Sequence, residues 1–187
     1  LYKNVGEWRF ESVGRSTGVD QPTWGMGATA IDYDGDGWTD LYLTNYGPNI
    51  LYRNDGREGF DDVGHRAGVD LDSWSMGAAF GDYDNDGDLD VYVASYLELD
   101  EDPETGGESR CNWRGVPVFC GPPGLSAARD VYLRNEGPAG AWSYTDATDE
   151  VGLSSPPYYG FAVLASDLDD DGDLDIYVAN DTNPNLY

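Results

Sequence analysis

A repeat of about 50 residues constrains the fold of this chain more than any other sequence feature. The segment LYKN at 1–4 returns as LYRN at 51–54, and DYDGDG at 32–37 returns as DYDNDG at 82–87. A looser third copy has YLRN at 132–135 and DLDDDG at 167–172, after about 35 extra residues near 97–130. Repeats of this length are typical of solenoids and propellers, in which each unit packs on its neighbours. We therefore divide the chain into units of about 1–50, 51–130 and 131–187.

Each unit contains four short segments with strand character. In the second unit these segments are Leu51–Asn54, Phe60–Val63, Gly77–Asp82 and Leu89–Ser95. Residues 88–93 alternate polar and apolar, as a half-buried strand does, and no amphipathic helix pattern of about 10 residues occurs. Small residues fill the segment before each acidic loop, which suits the crowded innermost strand of a blade. These patterns predict an all-β fold of four-stranded antiparallel propeller blades.

Three units are fewer than the 4–8 blades, roughly, of a closed propeller. We therefore expect the segment to belong to a longer protein, or partners to complete the ring.

Three acidic loops share the pattern D-x-D-x-D-G-x-x-D. We name them loop 1 (residues 32–40), loop 2 (82–90) and loop 3 (167–175). Side chains at positions one, three, five and nine and the backbone carbonyl at position seven are the candidate metal ligands. They are Asp32, Asp34, Asp36, Trp38 and Asp40 in loop 1, Asp82, Asp84, Asp86, Asp88 and Asp90 in loop 2, and Asp167, Asp169, Asp171, Asp173 and Asp175 in loop 3. Glycine at position six permits the sharp turn that such convergence needs.

An oxygen-only ligand set of this kind predicts calcium, about three ions per chain. Calcium accepts 6–8 oxygens, roughly, whereas magnesium prefers a tight octahedron with several waters, and zinc prefers His and Cys, which the loops lack. An EF-hand is excluded because its twelfth position needs Glu, and these loops have Leu43, Val93 and Val178 there. The alternative is a solvated acidic turn without an ion, in which the carboxylates would repel one another.

The composition limits the possible partners. The chain has 36 acidic residues, 10 Lys plus Arg and a formal net charge of -26, so nucleic acid would be repelled. Its 14 Tyr, 6 Trp and 5 Phe provide a core that acidic disordered chains lack. No apolar run approaches the ~20 residues of a membrane span. We expect a protein or glycan partner, with self-assembly as a further possibility.

Longer stretches resemble known families. The segment GMGATAIDYDGDGWTDLY at 25–42 resembles the FG-GAP/VCBS repeat, the calcium-binding blade of integrin α-subunit propellers and many bacterial surface proteins. The segments CNWRGVPVFCGPPGL at 111–125 and ANDTNPNLY at 179–187 resemble the cartilage acidic protein (ASPIC/UnbV) group. The resemblance implies a secreted β-propeller with calcium in hairpin loops on one rim, and it implies no catalytic activity.

The insertion contains the only two cysteines, Cys111 and Cys120, in a stretch rich in Gly and Pro. A disulfide there would close a small loop and indicate an oxidising compartment, that is, an extracellular, cell-surface or periplasmic location. Two isolated thiols remain the alternative. Trp113, Arg114 and Phe119 in the same loop form a candidate partner surface, or else pack the loop on its own blade.

No catalytic set of residues emerges from the sequence. His65 is the only histidine and is expected at the surface. The letters GMGATA at 25–30 match a dinucleotide motif, but no βαβ pattern surrounds them. We therefore expect a non-enzymatic calcium-binding module for adhesion, interaction or assembly. A fibre or lattice subunit and a non-catalytic scaffold of a secreted polysaccharide-active enzyme are the alternatives.

Overall fold

The computed structural model describes residues 1–57, 59–98, 111–118, 122, 124–137, 142–154 and 156–186. These residues form strands and two one-turn helices, which confirms the expected all-β fold. The elements are β1 (Tyr2–Gly6), β2 (Arg9–Ser12), α1 (Gly14–Thr17), β3 (Trp24–Ile31), β4 (Asp40–Pro48), β5 (Ile50–Asn54), β6 (Phe60–Asp62), α2 (Gly64–Ala67), β7 (Asp72–Gly81), β8 (Asp90–Ser95), β9 (Cys111–Trp113), β10 (Val116–Val118), β11 (Val131–Asn135), β12 (Tyr144–Asp146), β13 (Gly160–Ser166) and β14 (Asp175–Asn180).

The largest sheet consists of two four-stranded antiparallel blades. The first blade is β3–β4–β5–β6 and the second is β7–β8–β11–β12. The end of β4 pairs with the start of β7 and curls the two blades into one half-barrel. Strands β1–β2 and β13–β14 form separate two-stranded sheets. This architecture is that of a partial β-propeller.

The blades are offset from the sequence repeat by two strands. Each four-stranded blade takes its inner pair from one unit and its outer pair from the next, because β5 pairs with β4 and β11 pairs with β8. A repeat unit of the sequence therefore does not coincide with a blade, and each blade joins two successive units.

The small residues of β3 and β7 lie where neighbouring inner strands meet. A Cβ on Gly27 would lie 2.7 Å from the Met76 carbonyl oxygen and 2.8 Å from the Thr44 hydroxyl, closer than side chains tolerate. The Thr29 hydroxyl donates to the Ala78 carbonyl at 3.0 Å across the same junction. Strand β13 in turn packs against β7. The expectation of a crowded inner strand is confirmed.

The hydrophobic core lies between the blades. The fully buried side chains that fill it are Tyr42, Leu51, Val69, Val91, Val93 and Leu133. A second cluster around Tyr92, Tyr132 and Val178 packs the second blade against β14. Each such side chain contributes roughly 1.5–3 kcal/mol through burial. These clusters hold the inner hairpins and the acidic loops that they carry.

A side chain clamps the end of each inner hairpin opposite the acidic loop. An Asn or Asp accepts a hydrogen bond from the backbone N–H at the end of the second inner strand, through the pairs Asn49 with Asn45, Asp130 with Ser95, and Asn185 with Asn180. The same side chain meets the hydroxyl of a tyrosine on that strand, which is Tyr42, Tyr92 or Tyr177. The clamp therefore recurs in all three units.

None of the helices in the described part of the chain has the length and apolar character that crossing a bilayer requires.

Candidate metal-binding loops

Each acidic loop connects the two inner strands of a hairpin: loop 1 joins β3 to β4, loop 2 joins β7 to β8, and loop 3 joins β13 to β14. The carboxylate at position one organises the turn. In loop 1, Asp32 accepts hydrogen bonds from the backbone N–H groups of Asp36 at 3.1 Å and Gly37 at 2.9 Å. Asp82 and Asp167 accept the matching pairs in the other loops at 3.0–3.1 Å. All three loops therefore share one backbone shape.

Two positions in each loop have left-handed backbone conformations. Position six has φ of 90°, 95° and 101° at Gly37, Gly87 and Gly172, as the sequence predicted. Position four is also left-handed, with φ of 60–68° at Gly35, Asn85 and Asp170. Gly, Asn and Asp are the residues that adopt this conformation most readily. The choice of residue at position four was a signal that the sequence analysis did not use.

The structure brings three carboxylates together in each loop. Ligand atoms lie within 4.8 Å of one another at positions one, three and five of loops 1 and 2, and at positions one, three and nine of loop 3. The grouped residues are Asp32, Asp34 and Asp36, then Asp82, Asp84 and Asp86, then Asp167, Asp169 and Asp175. Asp40, Asp90 and Asp171 lie outside these groups.

Position nine has a structural role that the sequence analysis missed. Asp40 is completely buried and accepts hydrogen bonds from the backbone N–H of Tyr33 at 3.2 Å and of Asn54 at 2.7 Å. Asp90 is equally buried and accepts from the Asn135 N–H and the Tyr132 hydroxyl, both at 2.7 Å. Each carboxylate therefore ties its blade's inner strands to the first outer strand, which belongs to the next unit.

Burial raises the pKa of both carboxyl groups. The pKa of Asp40 rises to about 6, chiefly through desolvation, although the two backbone N–H donors oppose the shift. The pKa of Asp90 is also raised by burial, against the hydrogen bonds from Tyr132 and Asn135. The third member, Asp175, is only half-buried and accepts from the Leu168 N–H at 2.8 Å.

Residues at position seven contact the neighbouring unit or the neighbouring loop. The exposed ring of Trp38 lies over Gly56, where a Cβ would approach it to 2.2 Å. Asp88 lies over Gly137 in the same way, and Asp173 accepts from the Asn85 side-chain amide at 2.8 Å. The backbone N–H of each position-seven residue donates to the carboxylate at position five at 2.9–3.0 Å. The proposed ligand role of its carbonyl stays a prediction.

Burial and like charges raise the pKa of carboxyl groups in loops 2 and 3. The pKa of Asp84 is raised by burial and by the charge of Asp86. The pKa of Asp169 is raised chiefly by the charge of Asp171. The carboxylates therefore repel one another, which is the electrostatic condition that a bound cation relieves.

A positively charged side chain from another strand contacts loop 1. Arg53 on β5 donates from Nε to Asp34 at 2.5 Å and from a terminal nitrogen to Asp36 at 2.7 Å. Sequence reasoning did not predict this contact, because the arginine comes from the next unit along the chain.

The insertion is described only in part. Cys111 begins β9, and β9 and β10 form a hairpin in which Arg114 and Gly115 have φ of 51° and 87°. Cys120 and Phe119 lie outside the described residues, as does the side chain of Trp113. The disulfide and the partner surface of Trp113, Arg114 and Phe119 therefore stay predictions. His65 is at the surface, as expected, with its ring nitrogen 2.9 Å from Asp70.

Comparison with protein families supports the repeat. The model of the FG-GAP-like repeat family matches residues 32–93, from the start of loop 1 to the middle of β8. Repeats of this family are found in β-propellers for adhesion and protein interaction. A search of curated proteins found no match. The expected FG-GAP resemblance is confirmed over this stretch, and the closer resemblance to the cartilage acidic protein group stays a prediction.

Proposed function

We propose that this chain is a calcium-binding segment of a β-propeller that serves adhesion or protein interaction outside the cell, with one ion in each of loops 1, 2 and 3. The observation that carries this proposal is the convergence of three carboxylates in every loop, with ligand atoms within 4.8 Å of one another. A single exposed acidic cluster is common without an ion. Three clusters built on the same backbone hydrogen bonds favour a common ligand.

The donor chemistry of the loops fits calcium. Every grouped ligand atom in the described residues is a carboxylate oxygen, which suits a hard cation that takes roughly 6–8 oxygens. Burial together with the charge of Asp86 raises the pKa of Asp84, and the charge of Asp171 raises that of Asp169, so a cation would lower the free energy of the folded hairpin. Magnesium fits less well, since it retains several waters in a rigid octahedron.

Hydrogen bonds within the chain preorganise the loops for an ion. Asp32, Asp82 and Asp167 hold the turns closed through backbone N–H groups. A bound calcium ion would supply the positive charge that these carboxylates coordinate. In loops 1 and 2, position nine couples the hairpin to the next unit through Asn54 and Asn135. Calcium would therefore stiffen the packing between units as well as the hairpins.

An extracellular role agrees with the affinity expected of such loops. Calcium sites in extracellular modules often have dissociation constants of ~10⁻⁴–10⁻³ M, which fill outside the cell and not in the cytosol. The matched repeat occurs in adhesion and interaction propellers, so we propose a binding role without catalysis, toward a protein or glycan.

Self-assembly is the second candidate function, and the exposed apolar residues of β1 and β2 favour it. Tyr2, Trp8 and Phe10 are 72%, 96% and 61% exposed on or between these two strands. Apolar surface of this kind pairs readily with a further blade or with a second copy. Sedimentation of the chain over a range of concentrations separates a monomer from an assembling species.

The decisive experiment counts bound calcium and follows thermal unfolding in millimolar calcium and in a chelator. We expect about three ions per chain. Each loop contributes about 2.7 kcal/mol at a hundredfold excess of calcium over its dissociation constant. Asp84→Asn and Asp169→Asn each remove one ion, whereas Asp61→Asn, at an exposed position on β6, leaves the count unchanged. No bound calcium together with an unchanged melting curve contradicts the proposal.

A further inference from the structure

Arg53 makes loop 1 electrostatically different from the other two loops. Its guanidinium group forms ion pairs with Asp34 at 2.5 Å and with Asp36 at 2.7 Å, which are two of the three grouped carboxylates. The Asp34 side chain is almost completely shielded from solvent, so the pairing is only weakly screened. The Arg53 side chain is itself about one third exposed. Loop 1 therefore already has a positive charge at the place where a metal ion would bind.

The equivalent arginine in the next unit does not reach its loop. Arg134 occupies the same place on β11 as Arg53 on β5, since Asn135 and Asn54 follow them and both bond to a position-nine Asp. Arg134 forms ion pairs instead with Glu150 at 3.0 Å and with Glu136 at 3.4 Å. Among the described residues, no lysine or arginine forms an ion pair with the carboxylates of loop 2 or loop 3.

The charged residues at equivalent positions near the two arginines differ between the units. Arg134 has two acidic partners, and the first of them, Glu136, has an acidic counterpart in Asp55 of the preceding unit. Glu150 aligns with Arg66, because Ala147 and Val63 make the same hydrogen bond to the first outer strand of their blades. Arg134 therefore has a carboxylate partner at a position where the preceding unit has a like charge, Arg66, and Arg53 pairs with loop 1 instead.

We propose that Arg53 is a built-in counter-cation of loop 1 that competes with calcium, so that the three loops fill in two classes. Loops 2 and 3 fill first, and loop 1 fills at about tenfold higher calcium, on the order expected for removing one neighbouring charge near a protein surface. Without calcium, Arg53 offsets part of the carboxylate repulsion in loop 1, whereas loops 2 and 3 have no such basic partner in the described part of the chain. This inference rests on the proposed calcium function.

Trp38 provides a reporter for loop 1 alone. It stands at position seven of loop 1, where loops 2 and 3 have Asp88 and Asp173. Luminescence of bound terbium(III), excited through tryptophan, therefore reports loop 1 as the component that Trp38→Phe abolishes. Displacement of terbium by calcium then gives the relative calcium affinity of loop 1, and calorimetry with calcium gives the affinities of all sites in the full chain.

The test compares Arg53→Gln with Arg134→Gln. We expect Arg53→Gln to tighten calcium binding at loop 1 about tenfold and to merge the two classes into one. Arg53→Lys retains the charge and gives a smaller gain, and Arg134→Gln leaves loop 1 unchanged. If Arg53→Gln does not fold, the calorimetric curve of the unsubstituted chain still decides between one class and two.

Failure of this inference and failure of the proposed function give different results. Calcium binding with equal affinity at all three loops, unaltered by Arg53→Gln, overturns the role of Arg53 and leaves the calcium function standing. Absence of calcium and terbium binding at every loop overturns both.

Discussion

The β4–β5 and β8–β11 strand pairs are built on the same hydrogen bonds but carry different charges. In both pairs, a buried position-nine Asp accepts the backbone N–H of an Asn on the outer strand, from Asn54 to Asp40 and from Asn135 to Asp90. The nearby arginine pairs with loop 1 in the first case and with Glu136 and Glu150 in the second. The repeat therefore determines the backbone connection, whereas unit-specific residues determine the charge beside each loop.

The largest expected effect comes from removing the buried position-nine carboxylate that both strand pairs contain. In chelator, Asp40→Ala and Asp90→Ala each remove about 3 kcal/mol from the free energy of unfolding, because two buried donors lose their acceptor. Asp175→Ala, at the half-buried position nine of loop 3, costs about 1 kcal/mol. Urea unfolding followed by tryptophan fluorescence measures all three. Equal losses at the three positions would contradict a role in joining successive units.

Position nine also marks the limit of what the sequence predicts. The repeat predicts the strands, the three turns and the convergence of Asp32, Asp34 and Asp36, because these depend on residues close together in the chain. The role of Asp40 depends on Asn54, which only the pairing of β4 with β5 brings near. The recurrence of Asn at 54 and 135 was the available signal.

Arg53 was not predicted for the same reason. The LYRN segment gives its position in the repeat, but its partner depends on which charges surround the guanidinium in the fold. One of those charges is at the equivalent positions 66 and 150, which the repeat pattern does not constrain and which are Arg66 and Glu150. Sequence periodicity predicts the shared backbone well and the unit-specific electrostatics poorly.

The second prediction sharpens the comparison at the opposite end of the strands. Asn49 clamps the β4–β5 pair, and its amide donates to the Tyr42 hydroxyl at 3.0 Å. Asp130 takes this place in the second pair, and there the Tyr92 hydroxyl donates to the carboxylate at 2.9 Å. Burial raises the pKa of Asp130 to about 6, against hydrogen bonds from the Ser95 N–H and from Tyr92. Only the second pair therefore has a clamp that titrates.

A raised carboxyl pKa stabilises the fold at low pH. The contribution of Asp130 is fully present below its ordinary pKa of 3.8 and is lost as the pH rises through about 6. Asp130→Asn should therefore be more stable than the unsubstituted chain by on the order of 2 kcal/mol above about pH 7, and nearly equal to it near pH 4. Chemical unfolding in chelator across this range measures the difference. The reciprocal Asn49→Asp should bring the same pH dependence to the first pair, and a constant difference at all pH values would contradict the assignment.

The smallest predicted effect comes from giving the β8–β11 pair the charged residues of the β4–β5 pair. Combining Glu150→Arg with Glu136→Gln removes both carboxylates that hold Arg134 and places a like charge where the first pair has Arg66. We expect Arg134 to turn toward Asp84 and Asp86, so that loop 2 binds calcium about tenfold more weakly, a change of about 1.4 kcal/mol. Calorimetric titration with calcium measures the shift, and the number of tight sites falls from two to one.

The reverse substitution provides the control for this conversion. Arg66→Glu gives the first pair the carboxylate that Glu150 supplies to the second, and it should draw Arg53 away from loop 1 and tighten calcium binding there. Loop 3 serves as the internal reference, because in the described part of the chain neither Arg53 nor Arg134 pairs with its carboxylates. A parallel change at all three loops would indicate a general effect of net charge, whereas changes confined to loop 2 in one variant and to loop 1 in the other identify the charge beside each arginine as the cause.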